Sequence, residues 1–190
     1  PFGRIINNTF VGQMGERAGS GSGIIVENNA SPTILNNVFA NLAVGLQIDE
    51  SSSSTVIGGS LFQNNGLNSQ TELGEFAIEL NAFDPLFVNA ALDNFNLDEG
   101  TLAIDSSIDS LEDRPVLVTV KNPLGIGLSP ILAPAWDATG QLRIDDPDIE
   151  SPPGQGANVF QDRGGLDRVD FIGPSVKLSK PVDNDAEGED

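Results

Sequence analysis

The amino-acid sequence predicts an all-β fold, a right-handed parallel β-helix of about three to four coils with an irregular C-terminal β cap. Two repeated phrases and their spacing predict it. The first phrase reads Ile-Ile-Asn-Asn-Thr-Phe in its first copy, and the second reads Gly-Ile-Ile-Val-Glu. The copies lie at residues 5–10, 34–39 and 56–62 for the first phrase, and at residues 23–27, 45–49 and 75–79 for the second. Phrases that recur at regular intervals along a chain are typical of stacked supersecondary units.

The period of the repeat is 22 residues, which is the interval from Ile24 to Leu46. Some copies of the phrases are more than 22 residues apart. These longer intervals are explained if one residue is added at Ser60 and if about seven residues are inserted twice at the same point of the coil. We therefore expect residues 11–22 and 63–74 to be surface loops that leave the coil at one corner. These loops are the first place to look for a recognition surface, and insertions tolerated without a function are the alternative.

Residues 1–80 predict short strands rich in Ile, Val, Leu and Phe, separated by Asn, Gly and Ser, which suit tight corners. Paired asparagines occur where the strands end, at residues 7–8, 28–29, 36–37 and 64–65. In stacked coils an asparagine amide can bond to the equivalent amide in the next coil, and turn formation alone is the alternative. Side-chain alternation predicts one shared apolar interior formed by Ile24, Val26, Leu46, Ile48, Phe76 and Ile78.

The composition excludes several classes of function. The chain has 190 residues, of which nine are basic and 28 acidic, giving a formal net charge of −19. Nucleic acids and anionic membrane surfaces are therefore poor partners, because both require a basic surface. No apolar run has the length of a membrane-spanning helix, so we expect no membrane insertion. Cysteine and histidine are both absent, which removes disulfide scaffolds and the most common general base.

The segment after the repeats carries a family resemblance. Residues 84–107 include the phrases DPLFVN and DNFNLDEGTLAIDSS, Asp137 to Arg143 reads DATGQLR, and residues 157–165 read ANVFQDRGG. Together they resemble the closing segment of right-handed parallel β-helix repeat proteins of the pectate-lyase-like superfold. The resemblance implies a module inside a very large secreted or surface protein of bacteria, and hence a secreted or cell-surface location.

The domain organisation follows from these phrases. We expect the β-helix coils and their closing segment in residues 1–105, and a C-terminal β cap in residues 106–173. Residues 174–190 are predicted to be a linker or the start of a following module, because their last part is strongly acidic. About thirty residues separate the AID and DATGQLR phrases, and we expect them to cover the open end of the coils.

Two sets of carboxylates are candidate metal ligands. Glu27, Asp49 and Glu79 follow matched strand residues and are predicted to align at strand spacing, about 4.8 Å. A second set, Asp145, Asp146 and Asp148, clusters around Pro147. Carboxylate oxygens suit Ca²⁺, whereas solvated charge and ordinary turn chemistry are the alternatives. We name no catalytic residue and no cofactor other than calcium, because no P-loop, nucleophile elbow, zinc spacing or dinucleotide fingerprint occurs.

These observations favour a non-enzymatic structural or adhesive segment of a large exported bacterial surface protein. The alternative is the non-catalytic C-terminal end of a carbohydrate-active β-helix enzyme, a polysaccharide lyase or hydrolase whose catalytic coils lie upstream. Expected partners are polysaccharides, other surface proteins and neighbouring modules of the same chain. The two hypotheses differ in whether further coils carry stacked aspartates with arginine or lysine on one solvent face.

Overall fold

The protein folds as a parallel β-helix. The computed structural model describes residues 3–13, 19–108, 110–111, 122–125, 131–132, 134–150 and 161–169. The strands of the coils are β1 (Arg4–Ile6), β2 (Thr9–Val11), β3 (Ser22–Val26), β4 (Thr33–Leu35), β5 (Val38–Ala40), β6 (Val44–Ile48), β7 (Val56–Gly58), β8 (Leu61–Gln63), β9 (Leu67–Ser69) and β10 (Ile78–Leu80). Two antiparallel pairs follow, β11 (Phe87–Asn89) with β12 (Asn94–Leu97), and β13 (Ser110–Leu111) with β14 (Ile131–Leu132).

Three parallel sheets run along the stack. Their strand orders are β1-β4-β7, β2-β5-β8-β10 and β3-β6-β9, so each coil contributes one strand to each sheet. This confirms the predicted parallel β-helix, with about three coils. The helical turns among the described residues are single 3-10 turns, at Glu50–Ser52, Ala90–Leu92 and Asn122–Leu124. In that part of the chain no helix has the length and apolarity needed to cross a membrane.

Asparagine ladders hold the corner between the first and second strand of each coil. Asn7 and Asn36 have φ of 50° and 54°, a left-handed conformation that asparagine tolerates better than most residues. Asn36 Nδ2 donates to Asn7 Oδ1 (3.4 Å), and Asn8 Nδ2 donates to Asn37 Oδ1 (3.1 Å). Amides of successive coils therefore bond to each other, as the paired asparagines predict. At another corner Asn64 Nδ2 donates to Asn41 Oδ1 (2.7 Å).

The third coil has Gly59 where the first two have Asn7 and Asn36. Gly59 also has a positive φ, of 57°, and a Cβ atom there would lie 2.3 Å from Asn36 Oδ1 and 3.0 Å from Ile108. Asn36 itself bonds to the backbone of Ile108, accepting from its N–H (2.9 Å) and donating to its carbonyl (2.6 Å). Glycine is needed because the chain near Ile108 packs on this corner.

The interior contains a column of stacked phenylalanines. The ring centroids of Phe10 and Phe39 are 5.1 Å apart, and those of Phe39 and Phe62 are 5.2 Å apart, with nearly parallel planes. This spacing is close to the distance between neighbouring strands, which lets the rings stack between coils. In strand register Glu79 lies opposite Phe62, so it takes the next position of the column. The phenylalanine column thus ends in a carboxylate.

The assumed period of 22 residues is wrong for the third coil. Phe39 pairs with Phe62 and Leu46 with Ser69, so the second and third coils are 23 residues apart. The extra residue lies in the turn after β6, where the 3-10 turn Glu50–Ser52 is formed, and not at Ser60. Only the first to second coil step, from Ile24 to Leu46, has 22 residues.

Because of this error in the period, the second insertion and part of the apolar interior were predicted at the wrong residues. Residues 63–74 contain strand β9 and are not an insertion, whereas the extra residues of the first coil lie in sequence between β2 and β3. Ile24, Val26, Leu46 and Ile48 are buried in one core cluster, as expected. Phe76 instead is 43% exposed with a φ of 57°. Ile78 packs with a different cluster, on the outer face of the second sheet.

Residues 84–107, the closing segment, cover the outer face of the sheet β2-β5-β8-β10. Side chains of that face and of the segment after β9 form one buried apolar cluster, comprising Val38, Ala40, Leu61, Leu80, Leu86, Leu97, Ala103 and Ile104. The closing segment therefore packs alongside the coils and buries β5 on both faces. The predicted domain limits at residues 105 and 173 stay predictions, and residues 174–190 lie outside the described part, as does much of residues 106–136.

Candidate functional site

The first candidate set, Glu27, Asp49 and Glu79, is divided between two sheets. Glu27 and Asp49 follow β3 and β6, which are neighbours in one sheet. Asp49 binds the turn around it, accepting from the backbone N–H of Asn28 (3.1 Å) and from the hydroxyl of Ser51 (2.8 Å). Glu79 belongs to β10 in another sheet. The predicted alignment of the three carboxylates is wrong because it depended on the misplaced third copy of the second phrase.

Glu79 has a structural partner at the end of the coil stack. Its Oε2 accepts a hydrogen bond from Asn68 Nδ2 at 2.6 Å. Asn68 lies in β9, the strand that occupies the place expected for residues 75–79. Glu79 thus links the last strands of two sheets.

The second candidate set, Asp145, Asp146 and Asp148, does not share one environment. Asp146 is 1% exposed and forms an ion pair with Arg168. Its Oδ1 accepts from the backbone N–H of Asp148 (3.1 Å), while Asp145 and Asp148 are exposed. Among the residues that the structure describes, no group of three or more Asp or Glu side chains is arranged to hold a metal ion.

Calcium binding at either set stays a prediction with a direct measurement. If a site exists, calcium chloride raises the melting temperature more than sodium chloride at equal ionic strength, because binding only to the native state stabilises it. If the carboxylates merely repel one another, both salts act by screening and their effects are equal. A calcium-specific rise that Asp145→Asn or Asp49→Asn abolishes would support a site, and equal effects of the two salts would overturn the prediction.

A network of buried aspartates that the sequence did not reveal lies beside the coils. Each carboxylate accepts the backbone N–H of the next aspartate in a continuous chain. Asp137 Oδ2 accepts from Asp167 (3.3 Å), and Asp167 Oδ1 accepts from Asp162 (3.1 Å). Asp162 Oδ1 accepts from Asp105 (2.8 Å), and Asp105 Oδ2 accepts from Asp146 (3.2 Å). The chain fastens three segments, around residues 105, 137–146 and 161–168, to one another.

Three arginines complete the network. Arg143 pairs with Asp167 (3.2 Å) and also donates to the backbone carbonyls of Asp162 (3.0 Å) and Gly164 (2.8 Å). Arg168 pairs with Asp146. Arg163 is fully buried and donates to backbone and hydroxyl oxygens of the coils and the closing segment. With five aspartates and three arginines, the network carries a formal charge of −2 when every group is ionised.

Burial shifts the titration of these groups. It raises the pKa of Asp105 to about 7, with the charges of Asp145, Asp146 and Asp167 adding to the effect of burial and the hydrogen bond from the Asp146 backbone opposing it. It also raises the pKa values of Asp162 and Asp167. Burial acts in the same direction on Asp137, but hydrogen bonds from Thr139, Gln141 and Asp167 outweigh it and hold that pKa below its ordinary value.

The network joins residues 162–165 to the coils. Asn7 Nδ2 donates to the carbonyl of Asp162 (2.9 Å), and the N–H of Gly165 donates to Thr9 Oγ1 (2.9 Å). The N–H of Gly164 donates to the carbonyl of Asn36 (2.9 Å). Because its aspartates hold backbone amides and arginines, the network is arranged for structural support.

The sequence contained a signal for this network. Asp105, Asp137 with Arg143, and Asp162 with Arg163 belong to the three phrases that carry the family resemblance. Their side chains meet in one buried cluster. The sequence predicted that these phrases close the coil, but it did not predict that their side chains pack together.

Comparisons with known proteins identify no family. The chain matches no protein-family model, and neither a curated protein nor a solved structure matches it. The fold expected from the resemblance is confirmed by the sheets themselves, whereas the family membership is not shown.

Proposed function

We propose that this chain is the non-catalytic closing module of a larger β-solenoid, serving as a structural or adhesive segment of an exported bacterial surface protein. The observation that carries the proposal is the difference between the two ends of the coil stack. The phenylalanine column presents the apolar ring of Phe10 at one end and the carboxylate of Glu79 at the other.

The N-terminal end is suited to receive another coil. Within the described residues, β1, β2 and β3 each pair on one side only, with β4, β5 and β6. Backbone groups on the other side of such strands are available for pairing. Phe10 and Ile5 are only half-buried there, whereas Phe39 and Ile34 in the second coil are fully buried. A preceding coil would continue the same sheets and bury these side chains.

The C-terminal end has the features of a terminus. β10 lies on β8, and a bridge joins Glu75 to Gly58, so the start of a fourth coil is present there. The charged group of Glu79 opposes further stacking because a buried carboxylate requires costly desolvation. Repeat proteins require such terminal units with polar outer faces for solubility.

The remaining parts of the proposal depend on the family resemblance. The phrases in residues 84–107 support an exported bacterial location, with polysaccharides, other surface proteins or neighbouring modules as partners. The alternative is the non-catalytic C-terminal end of a carbohydrate-active enzyme. In that case the preceding coils would carry stacked aspartates with arginine or lysine on one solvent face. Incubation of the chain with polyuronides and neutral polysaccharides, while unsaturated and reducing ends are monitored, tests catalysis. We expect no turnover above background, and activity would overturn the structural role.

Coil stacking is tested by adding one coil. Because Val56 pairs with Thr33, and Thr33 with Arg4, a second copy of residues 33–55 placed directly before Arg4 continues the register. We expect slower amide hydrogen exchange in β1, β2 and β3, by about tenfold or more, and a higher melting temperature, since added pairing stabilises neighbouring coils.

The matched control carries aspartate in place of the added copies of Phe39 and Leu46. Both parent residues are fully buried, so the altered coil cannot form an apolar interior. It should leave the exchange of β1, β2 and β3 unchanged. Equal protection by both inserts, or protection by neither, would contradict the proposed docking edge.

A further inference from the structure

A polar cleft lies between the closing segment and the cap. It has a volume of about 620 Å³ and is bordered by the hairpin β11–β12, the loop at residues 137–141 and residues 166–169. Its lining includes the apolar side chains of buried Leu97 and half-buried Leu166. It also includes the exposed polar side chains of Asn96, Thr139 and Gln141. Its size is in the range of clefts that bind small ligands.

The walls of the cleft are held by short-range hydrogen bonds. Asn94 Oδ1 accepts from the backbone N–H (3.2 Å) and the side-chain amide (2.7 Å) of Asn96. Asp137 Oδ1 accepts from the backbone N–H groups of Thr139 (2.8 Å) and Gln141 (2.9 Å). These bonds order the side chains of Asn94 and Asn96 and the turn at residues 137–141, which lowers the entropic cost of binding.

The charged groups that line the cleft are engaged elsewhere. Asp137 is occupied by the hydrogen bonds of its own loop, Asp167 by Arg143 and the N–H of Ile144 (3.0 Å), and Arg168 by Asp146.

Two neutral groups remain available. Within the described part of the chain, the side-chain amide of Gln141 and Nδ2 of Asn94 make no hydrogen bond. An amide group offers both donors and an acceptor. The net charge of −19 also disfavours anionic ligands near this surface.

We propose that this cleft binds a short stretch of a neutral oligosaccharide. Vicinal hydroxyl groups match the donors and acceptors of Gln141, Asn94 and Asn96, while the C–H face of a sugar packs on Leu97 and Leu166. The site gives the adhesive part of the proposed function a ligand class. Its lining residues belong to other segments than β1, β2 and β3, so failure of either proposal leaves the other testable.

The binding test uses neutral hexasaccharides of β-1,4-glucan, α-1,4-glucan and β-1,4-mannan, with a hexamer of galacturonate as the anionic comparison. Isothermal titration calorimetry is expected to give a dissociation constant of about 1 mM or tighter for at least one neutral probe. Trp136, the only tryptophan, bridges to Leu142 at the base of the loop that carries Gln141, so its fluorescence gives a second readout. Absence of binding by every neutral probe, or tighter binding of the galacturonate hexamer, would overturn the proposal.

Variants locate the binding to the cleft. Gln141→Ala removes an exposed side chain that supports no described contact, and we expect about tenfold weaker binding from the lost hydrogen bonds. Val88→Trp fills the cleft from β11, where Val88 is 54% exposed, and should abolish binding while the circular dichroism spectrum is retained. Gln70→Ala is the matched control, because Gln70 is exposed beyond β9 and does not line the cleft. Affinity unchanged by Gln141→Ala and Val88→Trp would refute this location.

Discussion

Replacement of Arg163 by methionine is expected to lower the free energy of unfolding by about 4 kcal/mol, since it leaves several buried oxygens without a donor. Arg163 Nε donates to the carbonyl and hydroxyl oxygens of Ser106, both at 2.9 Å. Nη1 donates to the carbonyls of Ser60 (3.1 Å) and Phe76 (2.8 Å). One side chain thereby binds the third coil, the start of the fourth coil and the closing segment.

The measurement is equilibrium unfolding in urea, with the midpoint and slope fitted for each variant. Methionine keeps much of the apolar stem, so the loss is assigned mainly to the guanidinium group. Arg4→Met is the control, because Arg4 is exposed in β1, and its effect should stay within about 0.5 kcal/mol. A loss below about 1 kcal/mol for Arg163→Met would show that water replaces the guanidinium at these carbonyls.

The repeat phrases predicted most of the coil architecture because stacking makes equivalent residues touch. Phe10, Phe39 and Phe62 recur at one position of the phrase, and their rings stack in the structure. The asparagine pairs recur at the corner, and their amides bond between coils. In both cases residues at equivalent positions of the repeat are in direct contact. The repeat pattern is therefore enough to predict these contacts.

The third coil shows where this reasoning fails. Strand β9 has the sequence Leu-Asn-Ser, which lacks the apolar alternation of β3 and β6, whereas residues 75–79 resemble the repeated phrase. Residues 67–69 nevertheless form β9, because they pair with β6 through the backbone. Their weak apolar pattern is tolerated at the end of the stack. Glu79 was consequently placed with Glu27 and Asp49, although it lies in a different sheet.

The sequence phrases mark several of these aspartates, but which of them meet could not be predicted because the network depends on contacts between distant segments. The N–H of Asp105 donates to Asp162, which is 57 residues away in sequence. No periodicity relates such positions, and single aspartates in loops usually signal turns. Their burial follows from the closing segment, which places the loops against a corner that already presents Asn7, Thr9 and Asn36.

Raising the pH from 5 to 9 is expected to destabilise the native protein through this network. Burial is the main cause that raises the pKa of Asp105 to about 7, above the ordinary aspartate value of about 4, and burial also raises the pKa of Asp162. Between these pKa values the native state binds more protons than the unfolded state, so stability decreases as the pH rises. The contribution is fully present below about pH 4 and is lost as the pH passes the native pKa of about 7.

Asp105→Asn separates this effect from the general repulsion of an acidic chain. The asparagine stays neutral at every pH, so urea midpoints measured from pH 5 to pH 9 should fall less steeply than in the wild type. It retains an oxygen that can accept from the N–H of Asp146. Asp148→Asn removes an equal formal charge from an exposed position and should leave the slope near that of the wild type. If both variants changed the slope equally, overall charge rather than the buried Asp105 would govern the pH dependence.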